Sequence, residues 1–303
     1  MMVERRSVQA GGRRLSYLEK GERTAGEPSL VVIHGLMGTA ATFLPLLAEV
    51  AEGRHVIALD LPGAGGSERD PKMGASLAKV SESVLKALDA LELERPVLVG
   101  HSHGAAVSMY LACLHPESVS GLVLLAPAHP FFRDGDQLIR FYLSPLGKVF
   151  AHTMPWYPQW VQMAALRRMA GPKSWDEPER LMPYRENLRT RGTIPHLLKL
   201  LRTWHSDMKE LRDLLECPFR KPSLVIWGEH DRAVPLSTAE SLMRRLLRSE
   251  LRVFEGVGHR PAEERPKLTA AVIEEWIADA ALGPEKVRRL VPVGWPMSGE
   301  LRR

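Results

Sequence analysis

Cysteine is scarce in this chain of 303 residues: only Cys113 and Cys217 occur, and they form no C-x-x-C pair. Neither a disulfide framework nor a cysteine metal site is therefore expected. Long hydrophobic runs are also missing, since the apolar run 121–128 is far shorter than the about 20 residues of a membrane-spanning helix. The first twelve residues carry three charged side chains and no apolar stretch, unlike a secretory signal. We therefore expect a cytoplasmic protein without an integral membrane segment.

A strong excess of one charge is absent as well. The 41 Lys and Arg residues stand against 36 Asp and Glu residues, and the formal net charge of +5 is too small to indicate a nucleic-acid partner. The chain is 45% hydrophobic and 25% charged, which excludes disordered and fibrous classes. This length and composition suffice for one large core, or for one core with an inserted subdomain.

Short apolar runs bounded by Gly or Pro alternate with longer amphipathic stretches, which is the pattern of an α/β sheet. The clearest helix is predicted at 76–91, where apolar residues recur every three to four positions. An antiparallel hairpin is expected at the sheet edge, from the segments 3–8 and 14–18. The other predicted strands are 29–33, 55–59, 96–99, 121–125, 223–227 and 251–254.

The strand and helix alternation stops after Pro127 and resumes near Pro222. The roughly 90 residues between contain helical patterns at 137–150, 159–169 and 193–215. Because an unbroken loop of that length is implausible in a compact domain, a helical insertion is the better interpretation. We predict a core formed by 1–127 and 221–282, a helical cap at 128–220 and a basic C-terminal tail at 283–303.

A buried strand runs into the pentapeptide Gly100-His-Ser-His-Gly104 and then into a helical pattern. This G-x-S-x-G pattern between a strand and a helix predicts a sharp turn that exposes the Ser102 hydroxyl, with glycines where side chains would collide. A serine hydroxyl is a weak nucleophile at neutral pH, so it needs a base and a group that orients the base.

Two candidates for these roles follow Ser102 in the chain. Asp231 lies on the loop after the strand 223–227, and His259 lies on the loop after the strand 251–254. The carboxyl ends of parallel strands are where an open α/β sheet forms its site. Ser102, Asp231 and His259 are therefore the predicted nucleophile, acid and base.

Stabilisation of a developing oxyanion requires two backbone amides. One is predicted to be the N–H of His103, directly after the nucleophile. The other is predicted to be the N–H of Leu36, in the glycine-containing loop 34–38 after the strand 29–33. His34 is interpreted as a hydrogen-bonded structural residue of that loop.

Over residues 3–280 the sequence resembles the α/β-hydrolase fold family with a cap. The resemblance is carried by five motifs in order: His34-Gly35, Asp60-Leu-Pro-Gly-Ala-Gly-Gly-Ser67, the Ser102 pentapeptide, Gly228-Glu-His-Asp-Arg-Ala-Val-Pro235 and Gly258-His259. It implies a mostly parallel twisted sheet with helices on both faces and an inserted helical cap. It also implies the same roles for the five site residues named above, and only a structural turn at 60–67.

Two positions refine the resemblance. The residue after the nucleophile is often Met or Gln in relatives, whereas it is His103 here, so two histidines flank Ser102. His103 either tunes the pocket or contributes only its amide. A serine at the nucleophile position, where other branches carry an aspartate, argues against dehalogenase and epoxide-hydrolase chemistry.

The expected function is hydrolysis of small to medium lipophilic carboxylic esters through an acyl-enzyme on Ser102, without metal or organic cofactor. Two alternatives remain open: a carbon–carbon bond hydrolase of ring-cleavage products with the same triad, and a non-catalytic binding protein on this fold. Trp156, Tyr157 and Trp160 lie in the stretch richest in aromatic residues. They are predicted substrate-binding residues, and an interfacial lid or ordinary cap core are the other interpretations. The sequence does not fix the oligomeric state.

Overall fold

The computed structural model describes residues 2–132, 136–172, 178–217 and 219–280, and eight strands among them form one sheet. The sheet order is β1-β2-β4-β3-β5-β6-β7-β8 for the strands bounded below. The second strand pairs antiparallel with the first and the fourth, and the remaining pairings are parallel. The predicted edge hairpin and mostly parallel sheet are thus confirmed. The strands are β1 Glu4–Ala10, β2 Arg13–Lys20, β3 Leu30–Ile33, β4 Val56–Leu59, β5 Val97–His101, β6 Gly121–Leu125, β7 Ser223–Gly228 and β8 Ser249–Phe254.

Alternate side chains of the central strands enter two separate cores. In β3, Val31 and Ile33 join the core on one face, while Leu30 and Val32 join the core on the other. Side chains of successive strand residues point to opposite faces, so a strand buried on both faces is apolar throughout. This explains why the central strands appear in the sequence as continuous apolar runs.

Helices cover both faces of this sheet. Their bounds are α1 Leu44–Glu49, α2 Leu77–Ala90, α3 His103–Leu114, α4 Asp136–Leu143, α5 Pro145–Thr153, α6 Gln159–Arg167, α7 Met182–Arg189, α8 Thr193–Glu216, α9 Ala239–Met243, α10 Pro261–Glu264 and α11 Pro266–Ala280. Side chains of α2, α3 and α8 contribute to one core, and those of α1 and α11 contribute to the other. The predicted helix at 76–91 is confirmed as α2, with the Ser76 side chain accepting a hydrogen bond from the Lys79 amide at its N-terminus.

In the described part of the chain, five helices, α4 to α8, lie between β6 and β7. The helical pattern at 137–150 forms two helices and not one, because α4 ends at Leu143 and α5 begins at Pro145. Proline has no amide hydrogen and is favoured at the first position of a helix. The Ser144 hydroxyl accepts a hydrogen bond from the Gly147 amide and caps the new helix. The predicted basic tail at 283–303 lies outside the described residues.

Within the ranges that the structure describes, no helix is both long enough and apolar enough to cross a bilayer. The loops that follow β3, β5, β7 and β8 leave the parallel strands at one edge of the sheet. The four loops carry Leu36, Ser102, Asp231 and His259 respectively. That edge is where an open parallel sheet places a ligand site.

Candidate active site

Ser102 forms the turn between β5 and α3. Its φ of 51° and ψ of −116° lie in a region that L-residues rarely adopt. A Cβ on Gly104 would collide with the backbone of Ile33, and one on Gly100 would lie 2.5 Å from the Gly104 carbonyl oxygen. The flanking glycines therefore permit the close crossing of strand and helix that this turn requires.

His259 and Asp231 form a buried hydrogen-bonded pair. His259 Nδ1 lies 2.9 Å from Asp231 Oδ2. The other carboxylate oxygen of Asp231 accepts hydrogen bonds from the amides of Ala233 and Val234, at 2.8 and 2.9 Å. A neutral imidazole that donates from Nδ1 to a carboxylate has its lone pair on Nε2, which is the arrangement of a general base.

The backbone of His259 is held from both sides. Its amide donates to the Met169 carbonyl oxygen at 2.8 Å, just beyond α6. Its carbonyl oxygen lies 2.8 Å from Nε2 of His101, the residue before Ser102. Burial lowers the pKa of His101 well below its usual value, and the nearby His259 lowers it further. His101 is therefore a neutral donor to the His259 carbonyl, a role that the sequence analysis did not assign.

The Glu264 carboxylate accepts hydrogen bonds from backbone amides on both sides of His259. Its Oε2 accepts hydrogen bonds from the amides of Gly258 and Gly171, both at 2.9 Å. Its Oε1 accepts a hydrogen bond from the Arg260 amide at 3.1 Å. This buried carboxylate thus joins the residues before and after His259 to the segment after α6. Sequence reasoning missed it, because a glutamate in a charged helix start resembles a surface residue.

The loop after β3 approaches Ser102 closely. A Cβ on Gly35 would lie 3.0 Å from the Ser102 Cβ and 3.1 Å from His101 Nδ1. The backbone amides of Leu36 and His103 donate to no acceptor that the described residues offer. The amide of His103 is also the first of α3, where helix N–H groups lack an intrahelical partner. Both amides are therefore free to donate a hydrogen bond to a bound group.

His34 supports this loop and does not act as a titrating group. Its Nδ1 lies 2.8 Å from the Gly35 carbonyl oxygen, and its Nε2 accepts a hydrogen bond from the Leu61 amide at 3.0 Å. Burial lowers the pKa of His34, which favours this neutral, hydrogen-bonded form. The ring thereby connects the loop after β3 to the loop after β4.

Two of the three aromatic residues predicted to bind substrate are mostly exposed. Trp156 is 65% exposed and Trp160 is 74% exposed. The Arg189 guanidinium lies 4.8 Å from the Trp156 ring centroid. Tyr157 packs edge-on against Phe150, with centroids 5.9 Å apart. The hydrogen bonds and ring contacts of the described residues do not join these side chains to Ser102, and their role in substrate binding stays a prediction.

A narrow cavity next to the loop 34–38, named the oxyanion loop below after its predicted role, contains residues that the sequence analysis did not assign. Its walls include His103, Asn187 of α7 and His196 of α8. Burial lowers the pKa of His103 to about 3 and that of His196 to about 4. No sequence signal distinguished His196. It lies in one of several helical patterns, and only the tertiary packing of α8 places it at the cavity.

The chain is similar to known hydrolases in sequence and in fold. The alpha/beta hydrolase fold family matches residues 28–266. The chain is 29% identical over 262 residues to YugF, an uncharacterized hydrolase of Bacillus subtilis, covering 84% of this chain and 90% of that protein. It is 22% identical over 271 residues to human monoacylglycerol lipase ABHD6, covering 84% and 77%. A meta-cleavage product hydrolase of Pseudomonas fluorescens has the same fold, with a TM-score of 0.74, 22% identity and coverage of 91% and 98%.

Proposed function

Because the chain belongs to the α/β-hydrolase fold family, we propose that it is a serine hydrolase that cleaves carboxylic esters through an acyl-enzyme on Ser102. The observation that carries this proposal is the joint placement of three groups. Ser102 forms a strained turn after β5, and the hydrogen-bonded pair His259–Asp231 lies on neighbouring loops at the same edge of the sheet. A serine exposed on such a turn, at the same sheet edge as a histidine oriented by a carboxylate, is what a nucleophile with a general base requires, and this supports the proposal.

The proposed reaction proceeds in two steps. Ser102 Oγ attacks the ester carbonyl carbon and gives its proton to His259 Nε2, while Asp231 stabilises the resulting imidazolium. The oxyanion of the tetrahedral intermediate accepts hydrogen bonds from the amides of Leu36 and His103. The C–O bond then breaks and His259 protonates the leaving alcohol. Water attacks the acyl-enzyme in the same manner, releasing the acid and free Ser102.

The substrates we propose are small to medium lipophilic esters. The helices of the insertion 128–220 would form a cap over the site and set its selectivity. The walls of the cavity beside the oxyanion loop are largely apolar, which supports a lipophilic substrate. The relatives include proteins named as a hydrolase and as a monoacylglycerol lipase, and these names are compatible with lipid-like esters.

The test is a panel of p-nitrophenyl esters from acetate to long acyl chains, with wild type and Ser102→Ala compared. We expect activity that peaks at one chain length and falls at least about 10³-fold in the variant, because the nucleophile is lost. Ser206→Ala removes an exposed hydroxyl on α8 and serves as the matched control. A fluorophosphonate should label the wild type at Ser102.

Two contrary outcomes separate the alternatives. Phosphonate labelling without turnover of any ester, together with cleavage of a ring-fission dienoate, would favour a carbon–carbon bond hydrolase that uses the same triad. No labelling and no turnover by a folded wild type would indicate a non-catalytic protein on this fold.

A further inference from the structure

The cavity beside the oxyanion loop is small and mostly apolar. It lies between the loops after β3 and β4 and the helices α7 and α8, and its apolar walls include Leu36, Leu61 and Leu200. About 20 Å³ is open to the centre of a water molecule. Because one water requires roughly 10–15 Å³ on this measure, the cavity has room for one small polar group.

Two imidazoles line this cavity without hydrogen-bond partners of their own. The side chains belong to His103, which is 2% exposed, and His196, which is 8% exposed. None of the residues described by the structure donates a hydrogen bond to either ring or accepts one from it. The neighbour of the His103 ring is Trp204, with centroids 6.0 Å apart. The ring nitrogens are not among the fully enclosed side-chain atoms that lack a partner, so they face the cavity, where a ligand group or a water molecule can hydrogen-bond to them.

The protonation of the two rings restricts the chemistry of this partner. Burial keeps both imidazoles neutral near pH 7, with the pKa of His103 lowered to about 3 and that of His196 to about 4. A neutral imidazole offers one N–H donor and one nitrogen acceptor. A buried carboxylate needs a cationic partner, and the guanidinium of Arg69 is already bonded to the Gly65 and Ser67 carbonyl oxygens. A hydroxyl group, which both donates and accepts, matches two neutral rings.

Close packing also fixes the position of His196. Gly63 has a φ of +81°, and a Cβ at this position would collide with the His196 ring. The loop after β4 therefore packs its backbone directly against the imidazole. A ring held in this way is preorganised for a ligand and loses little conformational entropy on binding.

We propose that His103 and His196 form a hydroxyl-recognition subsite beside the oxyanion loop, so that the preferred substrates are hydroxy esters. This inference rests on the proposed ester hydrolysis, because it assigns the substrate class of the same site. The hydroxyl belongs either to the acyl part or to the alcohol part of the ester. The two parts are distinguished by the test.

The test compares pairs of esters that differ by a hydroxyl in place of a methyl group. One pair is 2-hydroxyethyl butanoate and propyl butanoate, and the other is methyl 3-hydroxybutanoate and methyl 3-methylbutanoate. We expect wild type to show a kcat/KM about tenfold higher for the hydroxy ester in one pair, the effect of one well-formed hydrogen bond. The pair that shows the preference identifies the part of the substrate that the subsite binds.

Variants assign the preference to the two rings. In His103→Met and His196→Leu the ratio of the two kcat/KM values should fall to about one, because each substitution removes a hydrogen-bonding ring. His103→Gln keeps a donor and an acceptor and should retain most of the ratio. His152→Leu, on the exposed surface of α5, is the matched control and should leave the ratio unchanged.

Three results would overturn the proposal. Equal turnover within both pairs by wild type would remove the hydroxyl subsite and leave ester hydrolysis intact. Preference for a carboxylate-bearing ester, such as monomethyl succinate over methyl pentanoate, would assign the cavity to an anion. Absence of turnover for every ester, together with no labelling by a fluorophosphonate, would refute the proposed function itself.

Discussion

At the scale of single residues, the conformation of Ser102 has an energetic cost. Its φ of 51° and ψ of −116° are unfavourable for any residue with a Cβ, and such conformations cost about 1–3 kcal/mol each. The surrounding backbone holds Ser102 in this conformation, in part through the hydrogen bond from the Ser102 amide to the Leu125 carbonyl oxygen. The strain is a consequence of exposing a hydroxyl on a tight turn, so activity and stability should oppose each other here.

This opposition predicts the effect of two substitutions on stability. Ser102→Gly should have a free energy of unfolding about 1 kcal/mol above that of Ser102→Ala, because glycine adopts positive φ with little strain and loses only part of this gain through unfolded-state entropy. Both variants should lack turnover. Urea denaturation of the two proteins measures the difference. Equal midpoints with equal slopes would show that the turn is not strained.

Sequence reasoning reached some residues of the candidate site and missed others for a physical reason. Ser102, Asp231 and His259 each follow a recognisable strand, so their positions in a motif predict their common edge. His101 and His196 act through contacts with residues far away in the chain, and no local pattern encodes these contacts. Sequence reasoning therefore locates residues whose position is decided by backbone topology and misses residues whose position is decided by side-chain packing.

At the scale of elements, the same distinction applies: the strands of the sheet were predictable from the sequence, whereas a helix boundary in the insertion was not. The central strands β3 to β7 were predictable because burial on both faces makes each of them a continuous apolar run. The segment 137–150 has an uninterrupted helical periodicity, yet α4 ends before Ser144 and α5 begins at Pro145. The break is caused by the Ser144 hydroxyl, which caps α5, and by Pro145, which lacks an amide hydrogen. Hydrophobic periodicity reveals neither.

The short helix α10 determines where His259 lies relative to the inserted helices. Glu264 of this helix accepts hydrogen bonds from amides on both sides of His259 and from Gly171. Glutamine at this position has one acceptor oxygen and places an NH₂ group against backbone N–H donors. Glu264→Gln should therefore lower kcat about 10- to 100-fold and slow phosphonate labelling, while KM changes little.

The neighbouring residue provides a matched control for this prediction. Glu263 is also buried in α10, but its carboxyl contacts the Tyr184 hydroxyl at 2.5 Å, and burial raises its pKa to about 7. Glutamine mimics the neutral form of this carboxyl, so Glu263→Gln should retain kcat. Equal losses in the two variants would mean that α10 acts through general stability and not through the position of His259.

At the scale of the whole molecule, the inserted helices present an unusual surface. Five large apolar side chains on α4, on α5 and near the start of α6 are mostly exposed. Residues 137–172 contain no Asp or Glu and four Lys or Arg residues. Trp, Leu and cationic side chains together are typical of surfaces that bind the interface of an anionic membrane. The members of this apolar surface are Leu138, Leu146, Val149, Trp156 and Trp160.

We expect this apolar surface to bind lipid vesicles, which would bring a lipophilic ester to the proposed cap. Cosedimentation should be stronger with vesicles containing phosphatidylglycerol than with pure phosphatidylcholine, and it should weaken at high salt. Leu146→Asp should reduce binding about tenfold, because it places an anion among apolar side chains. Leu268→Asp, on the exposed side of α11, is the matched control and should bind like wild type. Equal losses in both variants, or a concentration-dependent dimer broken only by Leu146→Asp, would assign the apolar surface to another role.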